Sequence, residues 1–245
     1  MDYFSESYGF GEYKPKAIKL LKQTIDILNE FDIKHMLISG TLLGYIRHND
    51  FIPWDDDIDI LVDESILKKK ELIARKYGNI NLFYRNKYDS IKICFTNGSE
   101  IDDGEWEEKY IDGLFPEKKK YTFPFVDMFI YESRTHICGE DGFIEIDGEM
   151  KEVFLPFSTP CNRSFRFIPD HQIVFFHNDW NKSHFFPLKK VNFLGIECNI
   201  PNNSDYFLTK NYGKDYMKVI ESPERIHKTN SIFTDIIKTD YVRNT

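Results

Sequence analysis

Residues 38–62 read ISGTLLGYIRHNDFIPWDDDIDILV, and the acids near the end of this stretch decide what fold can hold it. Asp57-Ile58-Asp59-Ile60 alternates charged and apolar side chains, which predicts a strand over 57–62. Successive side chains of a strand point to opposite faces, so Asp57 and Asp59 share one face and Ile58 and Ile60 the other. Two carboxylates held that close repel unless a cation lies between them. Mg²⁺ and Mn²⁺ take such oxygen ligands and leave coordination positions for water and phosphate oxygens. The stretch therefore points to metal-dependent chemistry at a phosphate, with Asp57 and Asp59 as ligands. Asp55 has the same parity if the strand starts early, and it then binds the metal or orients a ligand.

Two plainer readings compete. A run of charge is usually a solvated loop. Here Phe51, Ile52, Pro53 and Trp54 precede the acids, and Ile58, Ile60, Leu61 and Val62 run through and after them. Such a stretch sinks into a core, where carboxylates need partners or a metal. An EF-hand loop matches at Asp55, Asp57 and Asp59. It then fails, because Ile60 stands where glycine is required and Ile66 where glutamate is required.

Working outward toward the N-terminus, 35–39 reads as a short strand and Gly40 as a turn. Thr41 is positioned to cap a helix over 41–48. A helix that opens off a strand through a glycine turn can cradle a phosphate, which makes Gly40 and Thr41 substrate-binding candidates. Arg47 and His48, at the far end of that helix, are either phosphate ligands or a solvated pair. Trp54 either stacks on a base or braces the turn. Further back, Ile18, Leu21, Ile25, Leu28 and Phe31 recur at helical spacing and predict an amphipathic helix over 15–31.

Toward the C-terminus, Asp63 is placed to cap a helix over 64–77 that Gly78 closes. Strands at 80–85 and 90–95 form a hairpin, and Lys92 on the second is a candidate contact for a diphosphate. Residues 97–120 form a charged surface excursion. Residues 123–131 read as an apolar strand interrupted by Asp127, a costly insertion unless that acid is paired. Asp127 is either a structural acid bonded to backbone amides or a third carboxylate beside Asp57 and Asp59. Residues 136–176 are β-rich, or else Asp170 caps a short helix through 177. A strand over 193–201 follows, then a helix over 205–212 capped by Ser204 and ended by Gly213. Ile232 to Ile237 marks a docking helix in the polar tail.

The chain has 245 residues, enough for a full core in one domain with elaborations. Its formal charge of -8 argues against a nucleic-acid partner held by bulk electrostatics. Aromatic residues make up 16%, which suits a well-packed protein with stacking surfaces. Cys94, Cys138, Cys161 and Cys198 are too widely spaced for a zinc ribbon. They read as reduced thiols, and the expected location is cytoplasmic or another reducing compartment. No apolar run reaches membrane-spanning length and no secretory signal is visible, so no transmembrane segment is expected.

The segment SGTLLGYIRHNDFIPWDDDIDI resembles the signature of the LicD/fukutin-related family of phosphotransferases. Ser-Gly-Thr, Leu-Leu-Gly, Arg-His, Pro-Trp-Asp and Asp-x-Asp stand in the family's order. PFVDMFIYE around Asp127, FLGIECNIPNN and YFLTKNYGKDYM follow, so the resemblance runs from about residue 36 to residue 217. It implies a nucleotidyltransferase-like α/β fold, a mixed sheet flanked by helices. A single domain over 1–245 is expected, with its core at about 15–131 and a β-rich or irregular elaboration at 132–245. In that fold Gly40-Thr41 leads to an Asp-x-Asp strand carrying Asp57 and Asp59, and a neighbouring strand supplies Asp127. The resemblance implies Mg²⁺ or Mn²⁺ at these acids. It further implies transfer of a phospho-alcohol, such as phosphocholine or ribitol phosphate, from a CDP-linked donor to a carbohydrate hydroxyl. Two other classes stay open: a nucleotidyltransferase acting on a small molecule or RNA, and a non-catalytic relative that binds a glycan or nucleotide.

Overall fold

The computed structural model describes residues 9–85, 90–100, 109–110, 121–134, 145–146, 149–150, 153–156 and 182–219. The first long element is α1, Lys14–Glu30, with Pro15 in its opening turn, where a missing N–H costs nothing. It buries Ala17, Leu20, Leu21, Thr24, Ile25, Ile27 and Leu28, which takes in Leu21, Ile25 and Leu28 of the periodic set, while Ile18 and Phe31 are half-buried at the edge of the core. Strand β1 (His35–Leu37) leads into α2 (Ser39–His48), which Asn49 ends in a left-handed conformation at φ 52°. Then come β2 (Asp59–Asp63), α3 (Ile66–Lys76), β3 (Ile80–Arg85) and β4 (Ser90–Glu100). Short β5 (Lys109–Tyr110) precedes the long β6 (Thr122–Arg134). Next are β7 (Glu145–Ile146), β8 (Glu149–Met150), β9 (Val153–Pro156) and the single turn α4 (Lys182–Phe185). β10 (Lys189–Phe193), β11 (Ile196–Ile200) and α5 (Ser204–Tyr212) complete the described elements.

The main sheet runs β1-β2-β6-β4-β3-β5, with β9 paired to the end of β6. β2 and β6 are parallel, and the other described pairs in this sheet are antiparallel. β6 therefore sits between β2 and β4, although it follows both in sequence. Its side chains divide by parity. Val126, Met128 and Ile130 join Ile60, Val62, Ile91, Ile93 and Leu82 in the buried core that includes α1. The opposite face carries a different set. The registers Asp59↔Asp127, Asp127↔Lys92 and Lys92↔Phe83 lay those four residues in one row across four strands. Phe83 of that row joins Cys94, Tyr121 and Phe125 in a second apolar cluster.

Several boundaries differ from the sequence reading. β2 begins at Asp59, not 57, although pairing reaches back to Ile58, whose carbonyl accepts the N–H of Asp127 at 2.7 Å. α2 starts at Ser39, and its N-cap Ile38 offers no side-chain cap, so Thr41 is free for another task. Asp63 does not cap α3; its Oδ1 accepts from Ser65 N at 2.9 Å in the turn before it, and Tyr77 rather than Gly78 closes the helix. The strand expected over 193–201 is a hairpin. Leu194 and Gly195 turn with φ of 53° and 80°, and β10 pairs β11 around them. Two consecutive positive φ values are the mark of a tight hairpin turn, which a leucine conceals. The cap of α5 is Asn203, whose Oδ1 accepts from Tyr206 N at 3.0 Å, while Ser204 Oγ donates to the Pro201 carbonyl. The hairpin expected at 80–95 is present, with Ile80 opposite Phe95 and Arg85 opposite Ser90, and β4 continues to Glu100, into what reads as excursion. The rest of 97–120 apart from β5, the helix proposed near 170–177 and the one near 232–237 lie outside the described residues. Among the described residues no helix is long and apolar enough to cross a membrane.

Candidate functional site

The acids gather where α2 starts and β2 begins. The N–H of Asp59 donates to Thr41 Oγ1 at 2.8 Å, and the Asp59 carboxylate accepts the N–H of Gly40. Thus Thr41 and Gly40 fix Asp59 at both its main chain and its side chain. Gly40 has a second reason to lack a side chain, because a methyl group there would overlap Asp55 Oδ2. Across the parallel ladder Asp127 stands opposite Asp59. One carboxylate oxygen from each of Asp57, Asp59 and Asp127 lies within 4.8 Å of the other two. Asp55, Asp56 and Asp57 form a second such group, and Asp57 is common to both.

Burial is the main force on Asp59 and Asp55. It pushes the Asp59 carboxyl well above the usual carboxylate range; the charges of Asp57 and Asp127 add to the effect, and Lys92 and the Gly40 amide oppose it. Burial also raises Asp55, helped by the charges of Asp57 and Asp59, a hydrogen bond with Asp57, and Asp56. Repulsion of this kind is relieved by a cation among the oxygens. The donor set fits one of the hard, oxygen-binding type. One detail of Asp127 supports the fit. Its Oδ2 accepts from Lys92 Nζ at 3.0 Å, while the buried Oδ1, 2.9 Å from the same nitrogen, has no hydrogen-bond geometry to it or to any described donor. The ammonium thus holds the Asp127 carboxylate, and one oxygen of that carboxylate lies within 4.8 Å of oxygens of Asp57 and Asp59.

The sequence candidates separate into those brought together and those kept apart. Gly40, Thr41, Asp55, Asp57, Asp59 and Asp127 meet. Lys92 is in the same row but lies beneath it: its side chain is 2% exposed, paired with Asp127, and its ammonium is 3.3 Å from the centre of the Phe125 ring and 4.7 Å from that of Tyr121. A diphosphate contact for Lys92 is therefore corrected, since the side chain is sealed behind Asp127 and the rings. Arg47 and His48 lie at the other end of α2, about 10 Å from Gly40 at 1.5 Å per residue. Arg47 Nη1 donates to the carbonyls of Tyr216 at 3.0 Å and Lys218 at 3.5 Å, so it holds the segment after α5. His48 meets Trp54 edge-to-face at 6.0 Å, and Trp54 packs on the core as a brace. Asp56, 4% exposed, is the acid that sequence reasoning passed over. Alternation makes it a spacer, but alternation does not apply in the irregular chain before β2.

A family model described as "LicD/FKTN/FKRP, nucleotidyltransferase domain" matches residues 32–203. An uncharacterised protein of Rickettsia prowazekii, RP689, is 26% identical over 212 residues, covering 85% of this chain and 59% of that protein. The lipopolysaccharide cholinephosphotransferase LicD of Haemophilus influenzae is 44% identical over 55 residues, 18% of this chain and 21% of that one. The mouse ribitol 5-phosphate transferase FKRP is 22% identical over 218 residues, 86% of this chain and 34% of that one. The chain thus spans less than two thirds of the length of each of these relatives. Among solved structures, the lincosamide antibiotic adenylyltransferase LnuA bound to lincomycin aligns at 12% identity with a TM-score of 0.39, over 82% of this chain and 96% of that one.

Proposed function

The chain belongs to the LicD/FKTN/FKRP nucleotidyltransferase-domain family, and from that premise we propose that it transfers a phospho-alcohol from a CDP-linked donor to a carbohydrate hydroxyl in glycan modification. The observation that carries this reading is the convergence of the Asp57, Asp59 and Asp127 oxygens within 4.8 Å. A phosphocholine- or ribitol-phosphate-like group is the cargo, in line with the activities for which the LicD and FKRP relatives are named. We take residues 1–245 as one domain working in a reducing compartment.

Asp57, Asp59 and Asp127 hold Mg²⁺ or Mn²⁺, with Asp55 as a further ligand or as the group that orients Asp57. A cation there neutralises charge at the transferring phosphorus and on the departing nucleotide. Gly40 and Thr41 keep Asp59 in place from the start of α2. The acceptor oxygen forms its bond to phosphorus as the bond to CMP breaks, and the hydroxyl proton leaves to a carboxylate or to water. The Lys92 contact favours Asp127 as a ligand. The net charge of -8 favours a neutral glycan over a polyanionic acceptor.

The test incubates the protein and Mn²⁺ with a panel of CDP-alcohols and nucleotide-sugars and measures released nucleotide. CMP release from one CDP-alcohol is expected, and Asp57→Ala or Asp59→Ala should abolish it. Pyrophosphate release from a nucleoside triphosphate would instead place the protein with the nucleotide-adding enzymes.

A further inference from the structure

Lys92 is the one cation in the row it shares with Asp59, Asp127 and Phe83, and its side chain is 2% exposed. It stands in register with Asp127, which stands in register with Asp59. Its ammonium lies 2.9 and 3.0 Å from the two oxygens of Asp127 and is backed by the faces of Phe125 and Tyr121. Phe125 lies two residues before Asp127 on the same face of β6, and Phe83, Lys92's cross-strand partner on β3, closes the far side within the same aromatic cluster. A lysine is ordinarily a mobile point charge. This one is fixed by strand register, an ion pair and ring faces, with both charged groups buried.

We propose that Lys92 is a positioning residue, which locks the Asp127 carboxylate in the orientation that offers an oxygen to the cation shared with Asp57 and Asp59. Lys92 acts through Asp127 and touches neither donor nor acceptor. The inference rests on the acid centre of the proposed function, but not on the identity of the donor.

Charge alone and positioning give opposite signs. Removing a cation from beside an acidic centre should tighten metal binding if Lys92 is only a nearby charge. If it positions Asp127, its loss should weaken binding despite the more negative site; outer partners of metal ligands typically contribute about 10–100-fold. The experiment is titration of Mn²⁺ alone, followed by electron paramagnetic resonance of the free ion. It uses the full chain, Lys92→Met, Asp127→Asn and the double variant. Lys92→Met is expected to bind Mn²⁺ about 10-fold or more weakly, and Asp127→Asn and the double variant are expected to bind alike. Unchanged or tighter binding by Lys92→Met overturns the inference, as does further weakening on adding Lys92→Met to Asp127→Asn. The second comparison involves no unpaired buried carboxylate and stands even if Lys92→Met alone does not fold. Because no nucleotide is present, a protein that releases CMP from no donor loses the proposed function without deciding this test. Wild type that takes up no Mn²⁺ overturns the metal centre and this inference together.

Discussion

Thr41 does at the residue scale what its position in the sequence conceals. A threonine at the start of a helix ordinarily caps it. Here its hydroxyl reaches across to the N–H of Asp59 and fixes the first residue of β2. Thr41→Val keeps the shape and removes the acceptor, leaving a buried N–H without a partner. The expected loss is about 1–3 kcal/mol, measurable as a lower urea midpoint, together with weaker Mn²⁺ binding as Asp59 loosens. An unchanged midpoint would mean that Asp59 is held by Gly40 alone. Gly40 itself is less forgiving, since any side chain there meets Asp55.

Among elements, β1 supplies the clearest pH-sensitive contact. His35 is buried at 2% exposure, its Nδ1 donates to the Ile33 carbonyl at 2.9 Å, and Nε2 faces Asn199 Nδ2 at 3.5 Å from β11. Burial pushes its pKa below the ordinary value, against the opposing pull of the Ile33 carbonyl. The unfolded chain then binds the proton more readily than the native one. Stability contributed by neutral His35 is present above the unfolded value and is lost as pH falls through it toward the lowered native one, at up to about 1.4 kcal/mol per pH unit. His35→Gln should flatten the denaturation midpoint against pH in the range just below about 6.5. A variant that keeps the wild-type slope would assign the dependence to another group. The same strand pair shows what was legible in the sequence. Helix α1, the hairpin of β3 and β4, and the lone acid of β6 follow from periodicity and composition, because burial enforces both. The hairpin of β10 and β11 was hidden, since Leu194 reads as core while its backbone makes the turn. The acids were legible as a cluster because they crowd into five residues, although Asp57 precedes β2 and strand parity does not reach it. The pairing of Lys92 with Asp127 was not, because strand order across 35 residues of sequence is a tertiary fact.

At the scale of the whole molecule, Arg47 ties the N-terminal half to the segment after α5, bonding carbonyls 169 and 171 residues away. Arg47→Met should free them. Faster amide exchange is expected at Tyr216 and Lys218, with a loss of about 1–3 kcal/mol in stability. Mn²⁺ binding should stay at the wild-type level, because Arg47 is at the far end of α2 from Gly40 and binds carbonyls after α5. A drop in Mn²⁺ affinity with unchanged exchange would return Arg47 to the site.

The place of β6 has a consequence for how the chain is made. Its two neighbours, β2 and β4, are complete by residue 100, yet they pair with a strand that begins only at Thr122. During synthesis the growing chain carries two unpaired edges, rich in Ile58, Ile60, Val62, Ile91 and Ile93, until β6 emerges and inserts between them. Such edges are the surfaces through which unfinished chains stick to one another. Asp59 at the end of one and Lys92 within the other put opposite charges there, which discourages like-with-like pairing while the slot waits. Asp127 then arrives as the insert that meets both. The acid centre therefore lacks its third carboxylate until β6 is translated and takes its place between β2 and β4.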